Sequence, residues 1–104
     1  MAYLLKRGRD FQSSCKTAIG HGALRSLTTG INNIAIGTTA ADALTTGICN
    51  IALGIDSLGA STTGCLNVAI GQGAMGGADT TGVSNIAIGE TAMDALTSGA
   101  CNIA

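Results

Sequence analysis

One 17-residue unit recurs along most of this chain. It reads TTGINNIAIGTTAADAL from Thr28, TTGICNIALGIDSLGAS from Thr45, TTGCLNVAIGQGAMGGAD from Thr62 and TTGVSNIAIGETAMDAL from Thr80. A partial unit opens at Lys16, and the chain stops at Ala104 inside another. The spacings between Thr28, Thr45, Thr62, Thr80 and Thr97 are 17, 17, 18 and 17, so one residue is inserted between Gly76 and Asp79. A fixed period of this kind is the signature of a stacked architecture, in which each unit buries its apolar face only against its neighbours.

Aligned on that period, the units form columns. Asn33, Asn50, Asn67, Asn85 and Asn102 make one, and Ala18, Ala35, Ala52, Ala69, Ala87 and Ala104 make another. Gly20, Gly37, Gly54, Gly71 and Gly89 make a third, and two aliphatic columns flank the Ala column. Asn-Ile-Ala-Ile-Gly alternates large and small, the period of a strand, and the Thr-Gly and Gly-x-x pieces are turn chemistry. A unit this short has no room for a helix pair, and Gly disfavours helix. The expected fold is therefore all-β: a parallel β-roll or β-solenoid of about five coils of 17–18 residues, stacked roughly 4.8 Å apart. Residues 16–104 form this domain, and residues 1–15 are a separate, non-repeating segment.

The alternation sorts the strand residues onto two faces. Ile34 and Ile36 share one face, and Asn33, Ala35 and Gly37 share the other. Ala and Gly supply 17 and 16 of the 104 residues, so large side chains are scarce. The aliphatic columns are accordingly expected inside, packed on Leu24, Ala41, Leu58, Met75 and Met93, with Leu27, Leu44 and Leu96. The six Ala then form a flat outward rank suited to packing on another chain. The Asn column is expected to form an amide ladder from coil to coil, a structural role.

Asn33 to Ala40 resembles the Asn-Ser-Val-Ala-Ile-Gly-x-x-Ser repeat of trimeric autotransporter adhesin heads; Asn85 to Ala92 fits as well, and Asn50 to Ser57 keeps the final Ser. With Thr-Thr-Gly ahead of the Asn, the longer units look like the repeats of phage tail-fibre proteins. The resemblance spans residues 16–104. It implies a left-handed β-roll, assembled as a homotrimer with small residues at the contact, here the Ala column. The units exceed the adhesin repeat in length, so one turn should bulge.

Charge is unevenly placed. Lys6, Arg7, Arg9, Lys16 and Arg25 all precede Ser26, and Asp10 is the sole acid in that stretch, giving +4; the rest of the chain carries −5. A short basic head suggests docking on an acidic surface, with Lys6, Arg7 and Arg9 as the anchor. Nucleic acid is not expected as a partner, because the cluster is short and Tyr3 and Phe11 are the only aromatics. No run of 18 apolar residues exists, so no membrane insertion is expected, and the N-terminus does not read as a secretory signal.

Several motifs look chemical. Gly71-Gln72-Gly73-Ala74-Met75-Gly76 matches a dinucleotide-binding fingerprint in letters, but no other unit repeats it and no βαβ pattern surrounds it. His21 sits in a turn column without a fixed Asp or Cys beside it. Cys15, Cys49, Cys65 and Cys101 fit no zinc spacing. Cys49 and Cys65 fall on adjacent coils and could pair; free thiols are favoured, and thiols meeting their copies at a three-fold axis are a third option. Adjacent Thr pairs point to opposite faces, which argues against a water-ordering array. No enzyme and no cofactor are expected.

The expected function is a structural fibre, a phage or phage-like virion component whose N-terminus contacts tail or capsid proteins. A host receptor or glycan would then be met by a distal part. The alternatives are a bacterial surface adhesin head and a self-stacking filament subunit. Because Ala104 falls in mid-strand, the chain is expected to be the first part of a longer fibre, with end-to-end stacking as the second explanation.

Overall fold

The computed structural model describes residues 16–104. Five three-residue strands follow one another: β1 (Thr17–Ile19), β2 (Ile34–Ile36), β3 (Ile51–Leu53), β4 (Val68–Ile70) and β5 (Ile86–Ile88). They form one parallel sheet in sequence order. The register matches the sequence columns: Ala18 pairs with Ala35, Ala35 with Ala52, Ala52 with Ala69 and Ala69 with Ala87. Residues 16–104 thus form an all-β solenoid of about four turns. Cys15 and the residues Lys6, Arg7 and Arg9 lie outside the described part.

Each coil leaves its strand through a glycine. At Gly37 φ is +132°, and a Cβ there would stand 2.7 Å from the carbonyl group of Gly54 in the next coil. Three turns then follow in succession, closed by Ala40 N–H to Gly37 O, Asp42 N–H to Thr39 O and Leu44 N–H to Ala41 O. The corners are made by residues in the left-handed region. Thirteen of the described non-Gly residues adopt it, in three columns represented by Asn32, Thr39 and Ala41. Each costs roughly 1–2 kcal/mol. The gain lies in the ladder: the Thr39 N–H reaches His21 O on one side, and the Ala41 N–H reaches Ser57 O on the other. Cys49, Leu66, Ser84 and Cys101 likewise donate to the preceding coil. The corner residues themselves thus keep their main-chain bonds to a neighbouring coil.

The core corrects the expected faces. Ala35, Ala52, Ala69 and Ala87 have no exposed surface and Ala18 only 5%, whereas Ile34 and Ile36 are 38% and 39% exposed. The alternation is as expected, but its phase is reversed: alanines point inward and the aliphatic columns outward. Ala104 is exposed at the last coil. The physical reason is thinness. The described residues span only 15 Å in their shortest dimension, and alanine opposite Ala40, Ala41 and Leu44 fills the interior. The expected inner partners Leu24, Leu44, Leu58 and Met75 are buried, with Leu27, Met93 and Leu96 packed beside them.

The inserted residue is absorbed at one corner. Leu27 and Leu44 line that corner, but Ser61 replaces leucine in the next coil and Thr80 is buried. The Ser61 hydroxyl donates to Thr80 O at 2.6 Å, and the Thr80 hydroxyl to Leu96 O at 2.9 Å. The Asp79 carboxylate accepts the Thr62 N–H at 2.8 Å, the place taken by a Thr carbonyl for Thr28 and Thr45.

Candidate functional site

The most regular polar feature is the interior amide ladder. Every corner residue ahead of an Asn diverts the chain, so the Asn N–H has no main-chain acceptor in the sheet. The preceding Asn supplies one. Asn50 N–H donates to Asn33 Oδ1 at 2.9 Å, Asn67 N–H to Asn50 Oδ1 at 3.0 Å, Asn85 N–H to Asn67 Oδ1 at 2.9 Å and Asn102 N–H to Asn85 Oδ1 at 3.0 Å. Each Asn Nδ2 from Asn33 to Asn85 donates in turn to a glycine carbonyl: Gly47, Gly64, Gly82 or Gly99, at 2.7–2.9 Å. Asn33, Asn50, Asn67 and Asn85 are buried. Their capacity is used inside the coil stack, and no buried side-chain nitrogen or oxygen among the described residues lacks a partner. The ladder is a fastening and offers nothing to a substrate.

The chemical-looking motifs resolve into turns. Gly71 and Gly73 sit at positive φ, and Ala74 N–H to Gly71 O and Gly76 N–H to Gly73 O close two successive turns. No helix follows to point its N–H groups at a phosphate. His21 is an exposed turn residue whose carbonyl serves Thr39. Cys49, Cys65 and Cys101 are free thiols, so no bridge joins Cys49 to Cys65. No group of three His, Cys, Asp or Glu among the described residues could hold a metal. The Thr28 and Thr45 hydroxyls donate to the Thr45 and Thr62 carbonyls at 3.1 and 3.2 Å, so they fasten coils to one another.

The acids lie on the turn side. Arg25 and Asp42, one coil apart, form an ion pair at 3.2 Å. Asp56 sits one coil beyond Asp42; partial burial pushes its carboxyl above the usual value of 3.8, and the negative charge of Asp42 adds to the effect. No helix among the described residues is long and apolar enough to cross a membrane.

What the molecule does present is an apolar sheet. The outer face of β1–β5 carries Ile34, Ile51, Val68 and Ile86 in one column and Ile19, Ile36, Leu53, Ile70 and Ile88 in the next. Ile88 is 59% exposed. Parallel sheets are ordinarily covered on both faces. Here one face is closed by the coil and the other is bare. The inversion of the Ala and Ile faces moves the candidate contact surface from the Ala column to these two columns. The parity of the Asn column could have indicated this, because a buried amide ladder must share the inside with Ala35. Comparison with protein-family models, with curated proteins and with solved structures finds no match.

Proposed function

We propose that this protein is a structural fibre segment, a left-handed β-roll assembled as a homotrimer and built into a phage or phage-like virion. The reading rests on one observation above the others: a parallel sheet whose outer face is a continuous aliphatic array, on a coil stack whose buried polar groups are used internally. Contiguous apolar patches of that kind mark interaction surfaces. The partner best matched to a face repeating at every coil is another copy with the same repeat. Such a stack has rigidity and length to offer, which suits a shaft. The resemblance of Asn33–Ala40 and its repeats to adhesin heads and tail fibres supports the same reading. Lys6, Arg7 and Arg9 would anchor the shaft to tail or capsid proteins, and a distal part would meet the host receptor.

Immunogold electron microscopy with antibody raised against the solenoid tests the placement. The expected result is label on thin projections of purified virus-like particles. Label on a bacterial envelope, with none on particles, would instead point to a surface adhesin and overturn the virion reading.

A further inference from the structure

The homotrimer reading leaves open which surfaces meet, and the coil itself constrains the answer. A flat face packed on its own copy makes an isologous pair, which closes as a dimer. Three-fold closure needs two different patches on each protomer, each facing the other kind on its neighbour. The coil carries a second outward apolar ladder ahead of the sheet. Gly30 is buried, while Thr29 and Ile31 on either side of it are exposed. Ile31, Ile48, Cys65 and Val83 stack in this column; Ile48 is 38% and Val83 41% exposed. Cys49 N–H to Ile31 O at 3.0 Å and Leu66 N–H to Ile48 O at 3.0 Å continue the ladder from coil to coil.

The two ladders meet at one corner, the left-handed column Asn32, Cys49, Leu66, Ser84 and Cys101. Leu66 there is 55% exposed. Among the described residues, eight of the nine large aliphatic side chains that are exposed lie on these ladders or this corner, Ile55 being the exception. Covering them removes on the order of 500 Å² of aliphatic surface. With the Thr and Asn rims, the wedge approaches the ~800 Å² that each partner brings to a standard interface.

Charge divides the coil in the same place. From 29–37 and its equivalents 46–54, 63–71, 81–89 and 98–104, no residue is charged. Asp42, Asp56, Asp79, Glu90, Asp94 and Arg25 all fall in the other half. Lys16, at the head of the first coil, is the sole described exception. One half of every coil is thus suited to water, and the other half is charge-free. Interface cores are depleted of charge in this way.

We infer that the corner column lies along the three-fold axis, with the sheet ladder of each protomer packed on the Ile31–Val83 ladder of the next. This inference rests on the homotrimer reading, and the test separates the two. Two single-cysteine forms of the full chain are prepared. One keeps only Cys49, with Cys15, Cys65 and Cys101 changed to Ser. The other has all four changed to Ser and carries Glu90→Cys on the charged half.

Sedimentation first gives the oligomeric state, and a short bis-maleimide then reports which thiols meet. A trimer in which the Cys49 form is cross-linked between chains and the Glu90→Cys form stays monomeric on a denaturing gel is the expected result. A trimer in which Cys49 is not linked, or in which the Glu90→Cys form links as well, overturns the axial corner while leaving the trimer intact. A monomer or dimer overturns the homotrimer reading itself. As a second variant, Leu66→Lys places three like charges at the axis without touching the coil interior. It should raise the concentration for half-assembly by about tenfold or more, whereas Thr38→Lys on the charged half should not; equal effects would overturn the inference.

Discussion

A single asparagine per coil holds two main-chain groups that the corner would otherwise orphan. Asn67 accepts from Asn85 N–H and donates to Gly82 O, both within the buried stack. Asn67→Ala leaves a buried donor and a buried acceptor unpaired, at about 1–3 kcal/mol each. A loss of roughly 2–5 kcal/mol is expected in denaturant unfolding. Asn67→Asp should cost at least as much, because the carboxylate cannot donate to Gly82 O and is buried. An unchanged midpoint for both would remove the ladder from the account. Asp56 acts in the opposite sense. Its carboxyl is raised above 3.8 by burial first and by Asp42 second. A raised acid favours the fold while protonated, and that contribution is lost as pH rises through its folded value. Asp56→Asn should therefore be more stable than the parent at neutral pH, with the difference closing below about pH 3.8. Thermal melts of both proteins across that window check the sign.

At the scale of the strand, β2 to β5 obey a rule opposite to the usual large-inside pattern. The Ala column has no spare volume, so Ala69→Val should destabilise the protomer by about 1–3 kcal/mol. Ile70→Thr, on the outer face, should leave protomer unfolding nearly unchanged and weaken assembly instead. Chemical unfolding alongside sedimentation separates the two effects; the reverse pattern would restore the aliphatic columns to the core. The strands, their parallel register and the site of the insertion were legible in the sequence, because they depend on spacing alone. The phase of the faces was not legible by residue size. It depends on how far apart the coil's two walls stand, and the left-handed corners at Asn32, Thr39 and Ala41 set that distance. Asn, Cys, Leu, Ser, Thr, Ala and Met all occupy such positions, so no residue type announces them. The buried Ser61 and Thr80 were equally hidden, since their burial follows from the way the inserted residue is absorbed.

At the scale of the molecule, the solenoid is a thin stack with an interior of small apolar side chains and a self-satisfied amide ladder, a charged half and an aliphatic half. Coil stacking accounts for the first feature and solvent for the second. On the proposed homotrimer, neighbouring copies cover the third, and the apolar surface missing inside each coil is then supplied between protomers. The measurement that bears most directly on this is the mass of the full chain in solution by sedimentation equilibrium. The account predicts a species with three times the 10.1 kDa mass of the single chain. A folded species at 10.1 kDa, stable at micromolar concentration with its β spectrum intact, would contradict it.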